Sequence, residues 1–136
     1  AIDSNNFYSD TTTYILGSDS KYLLGMLNSR LWTFLCSKTS SEIRGGFYRW
    51  KRQYVSQLPI RPIDFANRAE KAMHDKIVSL VDSMLTLNKK LKDAKTPHDK
   101  ELLERQIKAT DKEIDRLVYG LYGLTDDEIK MVEGTQ

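Results

Sequence analysis

Cysteine is nearly absent from this chain of 136 residues: Cys36 stands alone. A single thiol excludes an intrachain disulfide framework and any metal site built from several cysteines, and it fits a reducing cytoplasm. Proline is scarce, with three in all, and two of them, Pro59 and Pro62, lie close together. No apolar run approaches the ~20 residues a helix needs to span a bilayer. The opening Ala1-Ile2-Asp3 has neither an initiator Met nor a signal-peptide pattern. It enters directly into structured-looking sequence and reads as the start of a piece of a longer protein. Catalytic signatures are missing too. There is no Gly-rich dinucleotide fingerprint, no phosphate loop, no His-Glu-x-x-His and no Gly-x-Ser-x-Gly. His74 and His98 are far apart, without a third ligand at metal spacing. Asp111-Lys112-Glu113 falls on a helical repeat and not on a sheet edge of the kind nucleases use to hold a metal. The expectation is a non-catalytic domain with no metal and no cofactor of its own.

Net charge is only +2, too little to imply a polyanion partner by itself. Its distribution says more. Residues 1–63 carry eight Lys/Arg and four Asp/Glu, whereas residues 64–136 carry thirteen and fifteen. The positive excess therefore sits in the first part, and within it in one stretch. Between Glu42 and Asp64 there is no acidic residue, but there are Arg44, Arg49, Lys51, Arg52 and Arg61. Phe47, Tyr48, Trp50 and Tyr54 are interleaved with them. Cations meet phosphates and flat rings meet bases or sugars, so such a stretch suits a nucleic-acid surface. It equally suits an exposed strand whose charges protect its edge.

The first part reads as mixed structure. Residues 7–16 are rich in aromatic and β-branched types and predict one or two short strands. Leu23, Leu24, Leu27, Leu31, Phe34 and Leu35 recur at helical spacing and predict one helix from about Ser20 to Ser37. Gly25 within it weakens a helix by about 1 kcal/mol relative to Ala, which points to close packing there. Gly45-Gly46 permits unusual backbone angles or close approach, and Phe47 to Val55 predicts a strand. On a period of two, Tyr48, Trp50, Arg52 and Tyr54 share one of its faces. Leu58-Pro59-Ile60-Arg61-Pro62 is a stiff connector.

The second part is a pair of heptad seams. Met73, Ile77, Leu80, Met84, Leu87, Leu91 and Ala94 form the first; Leu103, Ile107, Thr110, Ile114, Leu117 and Leu121 form the second. Thr96-Pro97-His98-Asp99 between them supplies a cap and a helix start. The pattern predicts a long antiparallel helical hairpin. Gly123 closes its second arm, and Thr125 to Glu128 caps a last short helix. The charged outer faces read as solvated.

With these segments in place, the chain resembles a known family. Tyr22-Leu23-Leu24-Gly25-Met26-Leu27-Asn28-Ser29, then Gly45-Gly46-Phe47-Tyr48-Arg49-Trp50-Lys51-Arg52-Gln53-Tyr54-Val55, then Gln57-Leu58-Pro59-Ile60 are similar to the TaqI-like C-terminal specificity domain of adenine-specific DNA methyltransferases and fused restriction–modification enzymes. The trailing run from Ile114 to Thr125 resembles the C-terminal end of those proteins, and the helices resemble the spacer helices of type I specificity subunits. The resemblance spreads over most of residues 7–134. It implies a target-recognition domain that grips duplex DNA. A separate N-terminal methyltransferase domain would bind S-adenosylmethionine and flip the adenine through an Asn/Asp-Pro-Pro-Tyr/Phe motif, which this chain lacks.

The expected fold is thus α+β. A partial target-recognition subdomain over 1–63 precedes a coiled-coil-like helical hairpin with a cap helix over 64–136. The expected DNA-contacting residues are Arg44, Gly45, Gly46, Tyr48, Arg49, Trp50, Lys51 and Arg52. Two other readings stay open: a helical module that docks a partner or dimerises, with the basic strand as plain surface, and a strand that binds single-stranded RNA.

Overall fold

A computed structural model of the chain describes residues 17–39, 42–43, 47–48, 56–57 and 59–134. Through them run α1 (Lys21–Asn28), α2 (Arg30–Thr39), β1 (Glu42–Ile43), β2 (Phe47–Tyr48), α3 (Arg68–Asp93), α4 (Pro97–Tyr122) and α5 (Asp126–Glu133). The strands pair antiparallel, Glu42 opposite Tyr48 and Ile43 opposite Phe47. Two residues per strand present no face broad enough to pack as a layer. The α+β expectation is therefore corrected: the described architecture is helical, with five helices forming the body. The strands expected over 7–16, and the expected strand beyond Tyr48, lie outside the described residues.

Capping chemistry sets the long helices. Asn67 accepts from the backbone N–H groups of Ala69 and Glu70 and starts α3. Thr96 accepts from the Asp99 amide, and Pro97 opens α4. Gly123, at φ 64° and ψ 36°, ends α4 in the left-handed region that glycine enters without a side-chain penalty. Thr125 and Glu128 form the reciprocal capping box of α5. These are the signals the sequence displays, and here boundaries and signals agree.

The helix expected from Ser20 to Ser37 is instead two. Ser29 sits between α1 and α2 in extended backbone at ψ 157°. It is only 1 % exposed, and its hydroxyl donates to the Met26 carbonyl while accepting from the Trp32 amide. A second cap arrives from far along the chain. Buried Asp115 of α4 accepts the Arg30 N–H at 2.8 Å, at the first turn of α2. Two acceptors at one break offset the intrahelical bonds that a continuous helix would have kept.

The core lies where α1 and α2 meet the hairpin of α3 and α4. Tyr22, Met26, Leu31, Trp32 and Cys36 bury against Ile77, Val81, Ile114, Val118, Tyr119 and Leu121. Gly25 makes the approach possible. A Cβ there would stand 2.9 Å from Ile77 Cγ2 and 3.0 Å from Val81 Cγ2. The close packing expected at Gly25 is therefore present. Lys21 pairs with Asp82 at 2.5 Å at the far edge of this contact. Beyond it the hairpin continues as an arm on its own: Met84, Leu87, Leu91, Leu103 and Ile107 are half-buried along its seam.

Candidate nucleic-acid interface

Of the eight residues expected to touch DNA, Arg44, Gly45, Gly46, Arg49, Trp50, Lys51 and Arg52 lie outside the described residues. Tyr48 is described in its backbone, paired with Glu42. The structure does define what holds the two ends of this stretch.

At the upstream end, α2 delivers the chain to β1. The Asp115 carboxylate anchors the start of α2 through the Arg30 amide, and its other oxygen lies 3.5 Å from Arg30 Nε. Burial pushes the Asp115 carboxyl above its ordinary range, against the Arg30 N–H bond that pulls it down; Asp111 and Glu133 add to the rise and the Arg30 charge opposes it. Trp32 and Cys36 lock the inner face of α2 into the core. Burial likewise raises the Cys36 thiol, in keeping with a small core residue.

At the downstream end the connector is clamped by three side chains. Tyr22 of α1 donates its hydroxyl to the Arg61 carbonyl at 3.1 Å. Tyr122, at the end of α4, accepts the Arg61 N–H at 3.1 Å and donates to the Pro59 carbonyl. Glu70, in the first turn of α3, receives the Arg61 guanidinium at 2.7 Å on one oxygen and the Asp64 N–H at 3.0 Å on the other. The Asp64 amide, then Arg61, holds the Glu70 carboxyl below the usual glutamate range. Burial first, then the neighbouring Tyr122, pushes the Tyr22 phenol up to about 12. Proline fixes φ and removes an amide donor at positions 59 and 62, so few backbone groups in the connector need partners. The Pro59 carbonyl, the Arg61 N–H and carbonyl and the Asp64 N–H are met by α1, α3 and α4 together.

This clamp revises one count. Arg61, one of the five cations between Glu42 and Asp64, has its ion partner beyond that stretch in Glu70. The carbonyl at Arg61 and the side chain at Arg61 face different partners, so the residue belongs to the scaffold. Tyr22, Glu70, Asp115 and Tyr122 were all missed as positioning residues. Asp115 had a visible signal, a carboxylate beside Ile114 and close to Val118 on the inward side of a heptad helix. The others had none, since their partners lie 6 to 63 positions away in sequence.

His74 is engaged within the scaffold. The His74 ring packs between those of Tyr22 and Phe65, each 5.1 Å away. Its Nδ1 lies 3.0 Å from Asp75. Among the described residues no three His, Cys, Asp or Glu side chains gather as a metal site, and no helix is long and apolar enough to cross a membrane.

A clamped connector following an anchored helix bounds the stretch from Thr39 to Pro59. The family of the TaqI-like C-terminal specificity domain matches residues 1–60. The resemblance read from the three motifs thus holds over that span, and the family it names is one of specificity domains. The match stops at Ile60, short of the wider resemblance drawn to residue 134, and the helical hairpin lies beyond it. No curated protein and no solved structure matches the chain.

Proposed function

We propose that this chain recognises a sequence in duplex DNA and presents the duplex to a catalytic domain outside it, within an adenine-specific methyltransferase or a fused restriction enzyme. The observation that carries the reading is the family match over residues 1–60. It takes in Arg44, Arg49, Lys51 and Arg52, and all but the last three residues of the acid-free stretch between Glu42 and Asp64. Arginine reads guanine through two parallel hydrogen bonds, and lysine more often meets phosphate. Tyr48 and Trp50 supply rings for sugars or for the space left by a flipped base. S-adenosylmethionine belongs to the catalytic domain, and no residue here is given a role in holding it.

Fluorescence anisotropy with a duplex, at two salt concentrations, tests the reading. Losing a phosphate-binding cation should weaken all sequences alike and reduce the salt slope by about one. Losing a base-reading arginine should cost about 1–3 kcal/mol and relax specificity. Absence of binding at low salt would sink the proposal for this chain. A second reading, a module that pairs hairpin with hairpin, has Leu85 and Leu102 in its favour, large apolar side chains 38 % and 50 % exposed on the arm. Sedimentation as a monomer at micromolar concentration would remove it.

A further inference from the structure

The free end of the hairpin carries the densest unpaired charge among the described residues. Residues 88–100 contain Lys89, Lys90, Lys92, Lys95 and Lys100 against Asp93 and Asp99. All five lysines are exposed. Ion pairs elsewhere on the helices are common: Lys71 with Asp75, Arg105 with Glu101, Arg116 with Glu113, Lys130 with Asp127. None of the five tip lysines makes an ion pair or a side-chain hydrogen bond with a described residue. Asp99 is already engaged, accepting the Thr96 hydroxyl at 2.6 Å in the cap of α4. Five like charges crowded at one end of a rod repel each other, and a polyanion relieves that repulsion.

We propose that the hairpin tip is a second contact on duplex DNA, gripping backbone phosphates apart from the segment that reads sequence. The proposal rests on the DNA-recognition reading above. The chemistry of the tip selects the occupant. Its cations are all lysine, compact point charges that meet backbone phosphates without reading bases. The turn from Lys92 to Lys100 has no Trp, Tyr or Phe and no large aliphatic residue. It therefore lacks the run of aromatic rings on which successive single-stranded bases stack, His98 being its one aromatic ring, and it holds no cluster of large apolar side chains to bury in a lipid surface. Lys89, Lys90 and Lys92 stand at about 100° per residue around α3, so they spread over its outer side instead of lining one stripe. That spread reaches phosphates on both sides of a groove. From Asp82, where α1 leaves the arm, to Ala94 at its end is roughly 18 Å at 1.5 Å per residue. A lever of that length separates the tip contact from the α1–α2 body by roughly five base pairs at 3.4 Å each.

The test uses the 136-residue chain and a 5′-fluorescein duplex of about 30 base pairs. Affinity is followed from low to moderate salt, with thermal melts as a fold control. A variant with Lys89, Lys90, Lys92, Lys95 and Lys100 each changed to Gln should bind about tenfold or more weakly at moderate salt. Its log–log salt slope should be shallower by about 4.5 when all five lysines engage, since each neutralised phosphate contributes about 0.9. Changing the same five to Arg should restore both. A Gln variant that binds with wild-type affinity and slope overturns the tip proposal and leaves the recognition segment untouched. If a variant with Arg44, Arg49, Lys51 and Arg52 changed to Gln binds like wild type while the tip variant does not, the tip stands and the assignment of the recognition segment fails. A wild-type chain that does not bind duplex overturns both. Polyglutamate that competes as well as the duplex, charge for charge, overturns the assignment to DNA.

Discussion

Gly25→Ala separates two effects that act in opposite directions. In an isolated helix the change is favourable by about 1 kcal/mol, because alanine loses less backbone freedom than glycine. Here the new methyl group would lie 2.9 Å from Ile77 Cγ2 and 3.0 Å from Val81 Cγ2. Ordinary carbon contacts begin near 3.5 Å, so both are short by roughly 0.5 Å or more. Neither neighbour yields easily: Ile and Val are branched at Cβ and hold one χ1 rotamer in a helix, and Ile77 is fully buried. Relief requires α1 to move away from the hairpin, and overpacking of this kind costs about 1–3 kcal/mol. The net expectation is a loss of about 1 kcal/mol, or a fall in Tm of about 3–5 °C for a domain of this size. Thermal unfolding followed by circular dichroism reads it directly. A double-mutant cycle with Val81→Ala should show the Gly25→Ala penalty shrinking by about 0.5 kcal/mol or more. A Gly25→Ala protein that melts at or above wild type would refute the close approach, since helix propensity alone predicts that result.

The two C-terminal tyrosines of α4 should respond oppositely to loss of their hydroxyls. Tyr122→Phe breaks bonds to the Pro59 carbonyl and the Arg61 amide, so it should cost about 1–2 kcal/mol and speed hydrogen exchange at the Arg61 amide. The Tyr119 hydroxyl is buried without a partner among the described residues, so Tyr119→Phe should leave Tm unchanged or raise it. Asp115 carries a distinctive pH signature. Its folded carboxyl is raised by burial, so the folded state binds the proton more readily than the unfolded one. Its contribution is greatest below the unfolded value and is lost as pH rises through the folded one. Asp115→Asn keeps an acceptor for the Arg30 amide but removes this slope, so wild type should gain on the variant as pH is lowered from neutral in urea melts. Glu70 has the opposite sign: its lowered carboxyl stabilises above the unfolded value and loses that contribution as pH falls through the folded one. A carboxyl NMR titration should place Glu70 below the ordinary range, and Arg61→Gln should return it only part of the way, because the Asp64 amide remains.

The helical part of the fold was legible because its signals are local. Thr96, Pro97 and Asp99 lie within four residues of one another, and each arm repeats its apolar positions every three or four residues. The break at Ser29 was not legible for the converse reason. The leucine pattern runs through it without a change of period, and the group that helps stabilise the break, Asp115, comes from 85 positions away. The same holds for the connector. Its two prolines marked it as stiff, but Tyr22, Glu70 and Tyr122, which fix where it points, carry no pattern until the helices bring them together. Composition overcounted the free cations of the basic stretch by Arg61, since an ion partner nine residues away on a later helix is invisible to a search for nearby acids.

The placement of the anchors bears on how recognition and scaffold divide. The family match ends at Ile60, one residue before the Arg61 backbone is taken up by Tyr22 and Tyr122. Everything that grips the connector, apart from Tyr22, lies on the hairpin side of that boundary. Upstream, Asp115 on the same α4 helix fixes the start of α2. One helix therefore sets both the entry and the exit of the stretch between Thr39 and Pro59, and α4 extends without interruption to the lysine-bearing tip. A bend in α4 between Lys100 and Ile114 would change the angle between tip and connector while leaving the clamp at Asp115 and Tyr122 intact. Thr110→Pro supplies such a bend: it removes an amide donor and crowds the Gln106 carbonyl, which also accepts the Thr110 hydroxyl. If tip and recognition segment act on one duplex through a rigid α4, this variant should lose the salt-slope contribution of the tip while the amide protection of Arg61 stays unchanged. Loss of Arg61 protection together with the salt slope would show instead that the arm and the clamp unfold as one unit.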